Sequence, residues 1–229
     1  MTKSRHFQEL RTYHVTHRCH NKDFLLKTAI DRDEYIRLMW EAYRQWNLSI
    51  LSYIVTSNHV HLLLSSRRHE DMSGFMAHVS GGMGNYYNRR KGRFGSFWEG
   101  RYRCTLIQDG THLTRCLVYI ALNMVRAGVV KHPGEWDWNS HLELAGKKQR
   151  YRLIDMDRLL EKTEASSVKD FASWYDKTIE MKCLQPGILK REPWWSQASF
   201  VGTPGFVSSL VEKRMETDIV HIDDGTSYF

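Results

Sequence analysis

The sequence predicts an α+β fold: a ferredoxin-like antiparallel sheet with helices packed on one face, followed by a helical and irregular C-terminal extension. Three observations predict it. Runs of β-branched and aromatic residues alternate with stretches of helical periodicity, in the order strand, helix, strand, strand, helix, strand, helix. The two central strand runs are split only by Thr56-Ser57-Asn58, the length of a hairpin connection. The 229 residues, 41% hydrophobic and 26% charged, suffice for one sizeable core and are ordinary for a globular chain.

Residues 10–26, mixed polar and β-branched, read as the first strand. Asp31 stands where a helix over residues 32–46 would be capped, and Ile36, Met39, Trp40 and Tyr43 repeat at helical spacing. Residues 48–56 and 59–65 form the hairpin. Residues 72–91 read as a second helix, weakened in its middle by Gly81, Gly82 and Gly84. Residues 96–108 alternate as a strand, Asp109-Gly110 turns the chain, and a third helix over 111–127 stops at Gly128. Beyond Pro133 the pattern thins to short helices over 151–160 and 168–180. Residues 185–205, rich in Pro, Gly and Trp, read as an irregular, partly docked segment. This divides the chain into a domain over 1–150 and an extension and tail over 151–229.

No apolar run approaches the roughly 20 residues that span a bilayer. The first residues are polar and carry no secretory pattern. Cys19, Cys104, Cys116 and Cys183 are scattered without a Cys-x-x-Cys pair, as expected of reduced thiols in a cytoplasmic protein.

The charge is unevenly spread. Of the net +7, residues 1–150 carry +10 and residues 151–229 carry −3. Between Arg67 and Arg103 there are eight basic and three acidic side chains, interleaved with Tyr86, Tyr87, Phe94, Phe97, Trp98 and Tyr102. Cations for phosphates and aromatic faces for unstacked bases suit a single-stranded nucleic acid partner. Arg101, Arg103 and Arg126 are candidates for phosphate contacts, and Trp98 and Tyr102 for base stacking. The N-terminal Lys3, Arg5 and Arg11 and the segment 194–205 are candidates for gripping DNA or gating a site.

His59-Val60-His61 is the first chemical motif. On a strand both imidazoles share one face while Val60 enters the opposite layer, so the two rings can share a divalent cation. Tyr119 and Asn123, four apart on the third predicted helix, form the second. The phenol becomes a nucleophile once its proton is removed, and the amide can give an oxygen to the same metal. Taken alone, each motif reads more readily as ordinary structural residues: satisfied or exposed histidines, and a core aromatic.

In order and spacing, VTSNHVHLLL, FGSFWEGRYRCTLI and CLVYIALNMVRAGVV resemble the REP-associated tyrosine transposases, a branch of the single-tyrosine HUH transposases. The resemblance covers residues 11–144, and GTPGFVSSLVEKR at 202–214 is similar to the family's tail. It implies that residues 1–150 form an HUH nuclease domain, with His59, His61 and Asn123 as metal ligands and Tyr119 as nucleophile. The implied activity is a metal-dependent single-strand DNA endonuclease and strand-transferase, working through a 5′-phosphotyrosine. The implied substrate is a single-stranded DNA hairpin from repetitive extragenic palindromes, bound by a monomer rather than a homodimer. The metal, Mg²⁺ or Mn²⁺, rests on the resemblance, because imidazole and amide-oxygen ligation by itself suits them less obviously than Zn²⁺. One departure is Met124, where many relatives carry proline; only a slight change of helix geometry is expected from it. Three alternatives stay open: a catalytically silent nucleic-acid-binding regulator of the same fold, a replication initiator or relaxase, and a zinc hydrolase needing a third His or carboxylate.

Overall fold

In the computed structural model, which describes residues 7–147, 152–185, 190–211 and 220–222, β1 (Thr12–Arg18) is a central strand. It pairs antiparallel with β3 (His59–Ser66) on one side and with β4 (Arg103–Ile107) on the other. β2 (Leu48–Val55) pairs antiparallel along the outer edge of β3. This is the ferredoxin-like strand order that the sequence predicts. The extension then adds β5 (Phe200–Gly202) and β6 (Val220–Ile222), each parallel to its neighbour, giving a six-stranded mixed sheet.

Strand alternation divides β1 between two layers. Tyr13, Val15 and His17 face α1 (Ala29–Tyr43) and α2 (His69–Lys91), where Ser80 of α2 lies 3.2 Å from the His17 ring. The two helices meet where Gly82 of α2 leaves room for Leu38 of α1. Gly82 therefore admits a close helix contact, and α2 runs through Gly81, Gly82 and Gly84 unbroken.

His14 and Thr16 face the opposite layer, built from α3 (Thr111–Ala121) and the helices Met156–Thr163 and Trp194–Gln197. Thr105 of β4 donates to the Ala198 carbonyl (2.7 Å), and Lys162 in the helix Met156–Thr163 pairs with Asp109 (2.9 Å). The described part of the segment 185–205, expected to be irregular, thus lays a helix turn on this second face and adds a strand to the sheet beside β4. Leu62, Leu63 and Leu64 are fully buried, each contributing roughly 2 kcal/mol of hydrophobic stabilisation.

Several sequence-based boundaries shift for identifiable reasons. The first strand ends at Arg18, because the 3-10 turn His20–Lys22 places Asn21 and Lys22 at φ of 52° and 61°. The first helix begins a turn early with Thr28 at its N-cap position, so Asp31 is not the cap. Instead its carboxylate accepts from Thr28 and pairs with Arg90 of α2. Residues 96–102 form no strand beyond an isolated bridge between Cys19 and Trp98. The third helix breaks at Leu122 (φ −80°, ψ 8°), and α4 (Asn123–Arg126) follows. The break forms with Met124 in place, so proline is not required for it. All four cysteines are free thiols. Among the described residues, no helix is long and apolar enough to cross a membrane.

Candidate active site

β3 begins at His59, immediately after the turn whose hydrogen bonds set that ring. The Thr56 hydroxyl donates to the His59 carbonyl (2.7 Å) and accepts from the His59 amide (3.1 Å). The Asn58 amide nitrogen donates to the Lys22 carbonyl (2.9 Å), which leaves its oxygen facing His59 Nδ1 at 2.8 Å. That oxygen can only accept, so His59 carries its proton on Nδ1 and its lone pair on Nε2. Burial, reinforced by Arg18, Arg191 and Arg126, pulls its pKa down to about 4.

His61 lies on the same face, its ring centroid 5.0 Å from that of His59, and Val60 is fully buried in the opposite layer as the strand period requires. His61 Nδ1 meets His14 Nε2 at 2.8 Å, and His61 Nε2 meets the Asn123 amide nitrogen at 3.1 Å. Its pKa is pushed well below the ordinary value, first by burial and then by His14, His59 and Arg126. Both rings are therefore neutral.

The break after α3 turns Asn123 toward His61 while Tyr119 stays on the preceding turn. The Tyr119 ring is 6.2 Å from that of His61 and 6.0 Å from that of Trp195. Burial raises its pKa, and Arg126 followed by Arg191 opposes that rise. Arg126 of α4 has its Cζ 4.0 Å from the Tyr119 ring centroid.

These groups line a cleft of about 740 Å³. His59, His61, Tyr119 and Asn123, each singled out in the sequence, come together in it with Arg101, Arg103 and Arg126. Trp98 does not. It is buried, stacked on His17 at 4.0 Å, and its indole donates to the Ser80 carbonyl, so its stacking capacity is spent in the core. Tyr102 is half-buried, edge-on to the same His17. The exposed aromatic of the basic stretch is Phe94, at 94%. Arg11 lies against the Phe206 ring, and Lys3 and Arg5 fall outside the described residues.

Sequence reasoning missed His14, Arg18, Lys22 and Arg191, and named Trp195 only within the segment 194–205 expected to grip DNA or gate the site. For His14 and Arg18 a signal existed: they occupy alternate positions of β1, the strand that pairs Thr16 with His61 and Arg18 with His59. Arg191 comes from the extension, and no local pattern ties it to the site. His14 also bears on the zinc-hydrolase alternative, because it is a third histidine beside the pair. Both of its nitrogens are engaged, however, one by His61 and one by the Trp195 carbonyl at 2.6 Å. Among the described residues, no group of three or more His, Cys, Asp or Glu side chains could hold a metal ion. The donors present are two imidazole Nε2 lone pairs and one amide, which a half-turn about its terminal bond converts from nitrogen to oxygen donor. This set fits a divalent cation completed by water or phosphate oxygens.

Residues 8–123 match the IS200-like transposases. The chain belongs to that family. No curated protein matches it. Among solved structures, the chain is similar to a REP-associated tyrosine transposase bound to a REP hairpin. The TM-score is 0.54 at 16% identity, over 67% of this chain and 90% of that one. At that identity the likeness is one of fold. A structure described as a transposase from Deinococcus radiodurans R1 aligns with a TM-score of 0.35 at 17% identity, over 45% of this chain and 84% of that one. For this IS200-like transposase, the matched region ends at Asn123 and so includes both histidines and Tyr119.

Proposed function

We propose that this family member is a metal-dependent single-strand DNA endonuclease and strand-transferase, with Tyr119 as its nucleophile and REP-type hairpins as its substrate. The observation that carries the reading is the meeting of Tyr119 of α3 with His61 of β3 in one basic cleft. Tyr119 Oη attacks the scissile phosphorus in line. The new Oη–P bond forms as the P–O3′ bond breaks, and the leaving oxygen takes up a proton to become a 3′-OH. The phenol proton is lost to solvent at the mouth of the cleft, and Arg126 stabilises the resulting negative charge beside the ring. The 5′-phosphotyrosine conserves the phosphodiester energy, so attack by a 3′-OH on it rejoins strands without a nucleotide cofactor.

His59, His61 and Asn123 would hold Mg²⁺ or Mn²⁺, which when bound supplies a Lewis acid to a phosphate oxygen. Arg18, Arg101, Arg103 and Arg191 line the cleft and can bind the phosphates on either side of the cut. Every side chain named here comes from one chain, which favours a monomer.

The substrate class rests on the similarity to the hairpin-bound transposase and on the basic cleft. The test is a labelled REP hairpin with a single-stranded flank, incubated with protein and Mn²⁺ and resolved under denaturing conditions. A covalent protein–DNA adduct is expected. Tyr119→Phe should abolish it while holding hairpin affinity within about twofold. Tight binding by the wild type with no adduct would establish the silent regulator instead.

A further inference from the structure

A fully buried histidine connects the extension to the candidate metal centre. His14 has no solvent exposure, and both of its ring nitrogens are hydrogen-bonded. On one side Nδ1 lies 2.6 Å from the Trp195 carbonyl, a partner 181 residues away in sequence. On the other side Nε2 lies 2.8 Å from His61 Nδ1. The ring centroids are 4.9 Å apart with 21° between their planes, and turning either ring breaks a bond of the chain.

The proton positions follow from the ends of this chain. A carbonyl only accepts, so His14 Nδ1 is the N–H. Among the described residues no acid faces His14 to hold it as an imidazolium, so the fully buried ring is neutral and its Nε2 carries the lone pair. His61 Nδ1 must then donate, which leaves the lone pair of His61 on Nε2. In the metal-free structure the far end agrees with this assignment. The Asn123 amide nitrogen, a donor, faces His61 Nε2 at 3.1 Å.

We infer that His14 is a positioning residue for the metal centre: it transmits the acceptor character of the Trp195 carbonyl to His61 and locks that ring with its Nε2 lone pair toward the cleft. The extension is then part of the metal site without supplying a ligand, because it contributes the carbonyl that sets the polarity of the whole chain. This inference rests on reading His61 as a ligand, as proposed above.

The experiment has two parts. Long-range ¹H–¹⁵N correlation on metal-free wild type reports the His61 tautomer directly, and Nδ1–H is expected. Electron paramagnetic resonance titration then measures Mn²⁺ affinity for wild type, His14→Leu and His14→Gln. Leucine removes both polar atoms, and its affinity should fall by about 10- to 100-fold, the usual effect of losing a partner behind a ligand. Glutamine keeps one donor and one acceptor and should recover most of that loss. Thermal unfolding of each variant is recorded alongside. An Nε2–H tautomer in the wild type overturns the inference. So does a folded His14→Leu that binds Mn²⁺ as the wild type does. If His14→Leu does not fold, the wild-type tautomer and the glutamine variant decide. If His61→Ala binds Mn²⁺ unchanged, the ligand reading has failed, and the tautomer measurement still stands on its own.

Discussion

The guanidinium of Arg126 lies across the ring of Tyr119, 4.0 Å from its centroid, although the two residues occupy separate helices divided by the break at Leu122. In an unbroken helix a spacing of seven would stack the two residues two turns apart. Here the break folds the second residue back over the first. Arg126 is thereby placed to favour the phenolate over the phenol, against the burial that raises the Tyr119 pKa. Arg126→Gln should lower single-turnover adduct formation by about 100-fold, the scale of losing one preorganised charge partner. Hairpin affinity should change little, because other cleft arginines remain. Equal losses in binding and in rate would assign Arg126 to DNA contact instead.

His59→Ala and His61→Ala should each abolish cleavage at low Mn²⁺, with excess Mn²⁺ restoring part of it. Asn123→Ala should weaken Mn²⁺ dependence less than either, because a neutral amide oxygen is replaceable by water. Titrating cleavage against Mn²⁺ for the three variants checks the order. A wild-type metal dependence in His61→Ala would remove the histidine pair from the metal centre.

Metal-free protein should lose stability in mild acid. His14, His59 and His141 stand near pKa 4 in the folded chain, each lowered chiefly by burial from an ordinary 6.5. In the unfolded chain they take up protons as the pH falls through 6.5, and in the folded chain only near 4. The unfolded state therefore binds more protons within that window, and stability falls as the pH drops through it. Each histidine contributes at most about 1.4 kcal/mol per pH unit. Urea midpoints between about pH 7 and about pH 4.5 should decline steeply. A flat profile would mean that these rings are not held neutral.

Two glycines of α2 should respond to alanine in opposite directions. A Cβ at Gly74 would stand 2.5 Å from the Trp46 ring, a rigid neighbour, whereas a Cβ at Gly81 meets nothing within 4 Å. Alanine gains about 1 kcal/mol of helix propensity at either site. At Gly74 that gain is outweighed by an overpacking cost of about 1–3 kcal/mol, so destabilisation is expected. Gly81→Ala should stabilise by up to about 1 kcal/mol. Chemical denaturation of the two variants tests both signs.

The strand order β1 to β4 and the shared face of His59 and His61 were legible because they depend on local periodicity. A period of two on a strand fixes which side chains share a layer, and Val60 buried opposite the histidines follows from it. Tyr119 and Asn123 could be named together because they lie four apart, and the third segment of the family resemblance contains both.

What the sequence did not disclose depends on contacts between distant segments. Trp98 reads as a base-stacking residue in its basic surroundings, yet the layer of α1 and α2 claims its ring, with His17 against its face. Asp31 reads as a cap until Arg90, 59 residues on, is seen to take its carboxylate. By itself, the sequence determined the first four strands, the histidine pair and the tyrosine, all marked by short-range patterns. Only the tertiary structure decided how the pair is oriented, since that is set by hydrogen bonds to carbonyls from two other segments: Lys22 in a left-handed turn and Trp195 in the extension. A backbone carbonyl belongs to every residue type. Which one meets a given imidazole is therefore fixed by the path of the chain and leaves no mark in its composition.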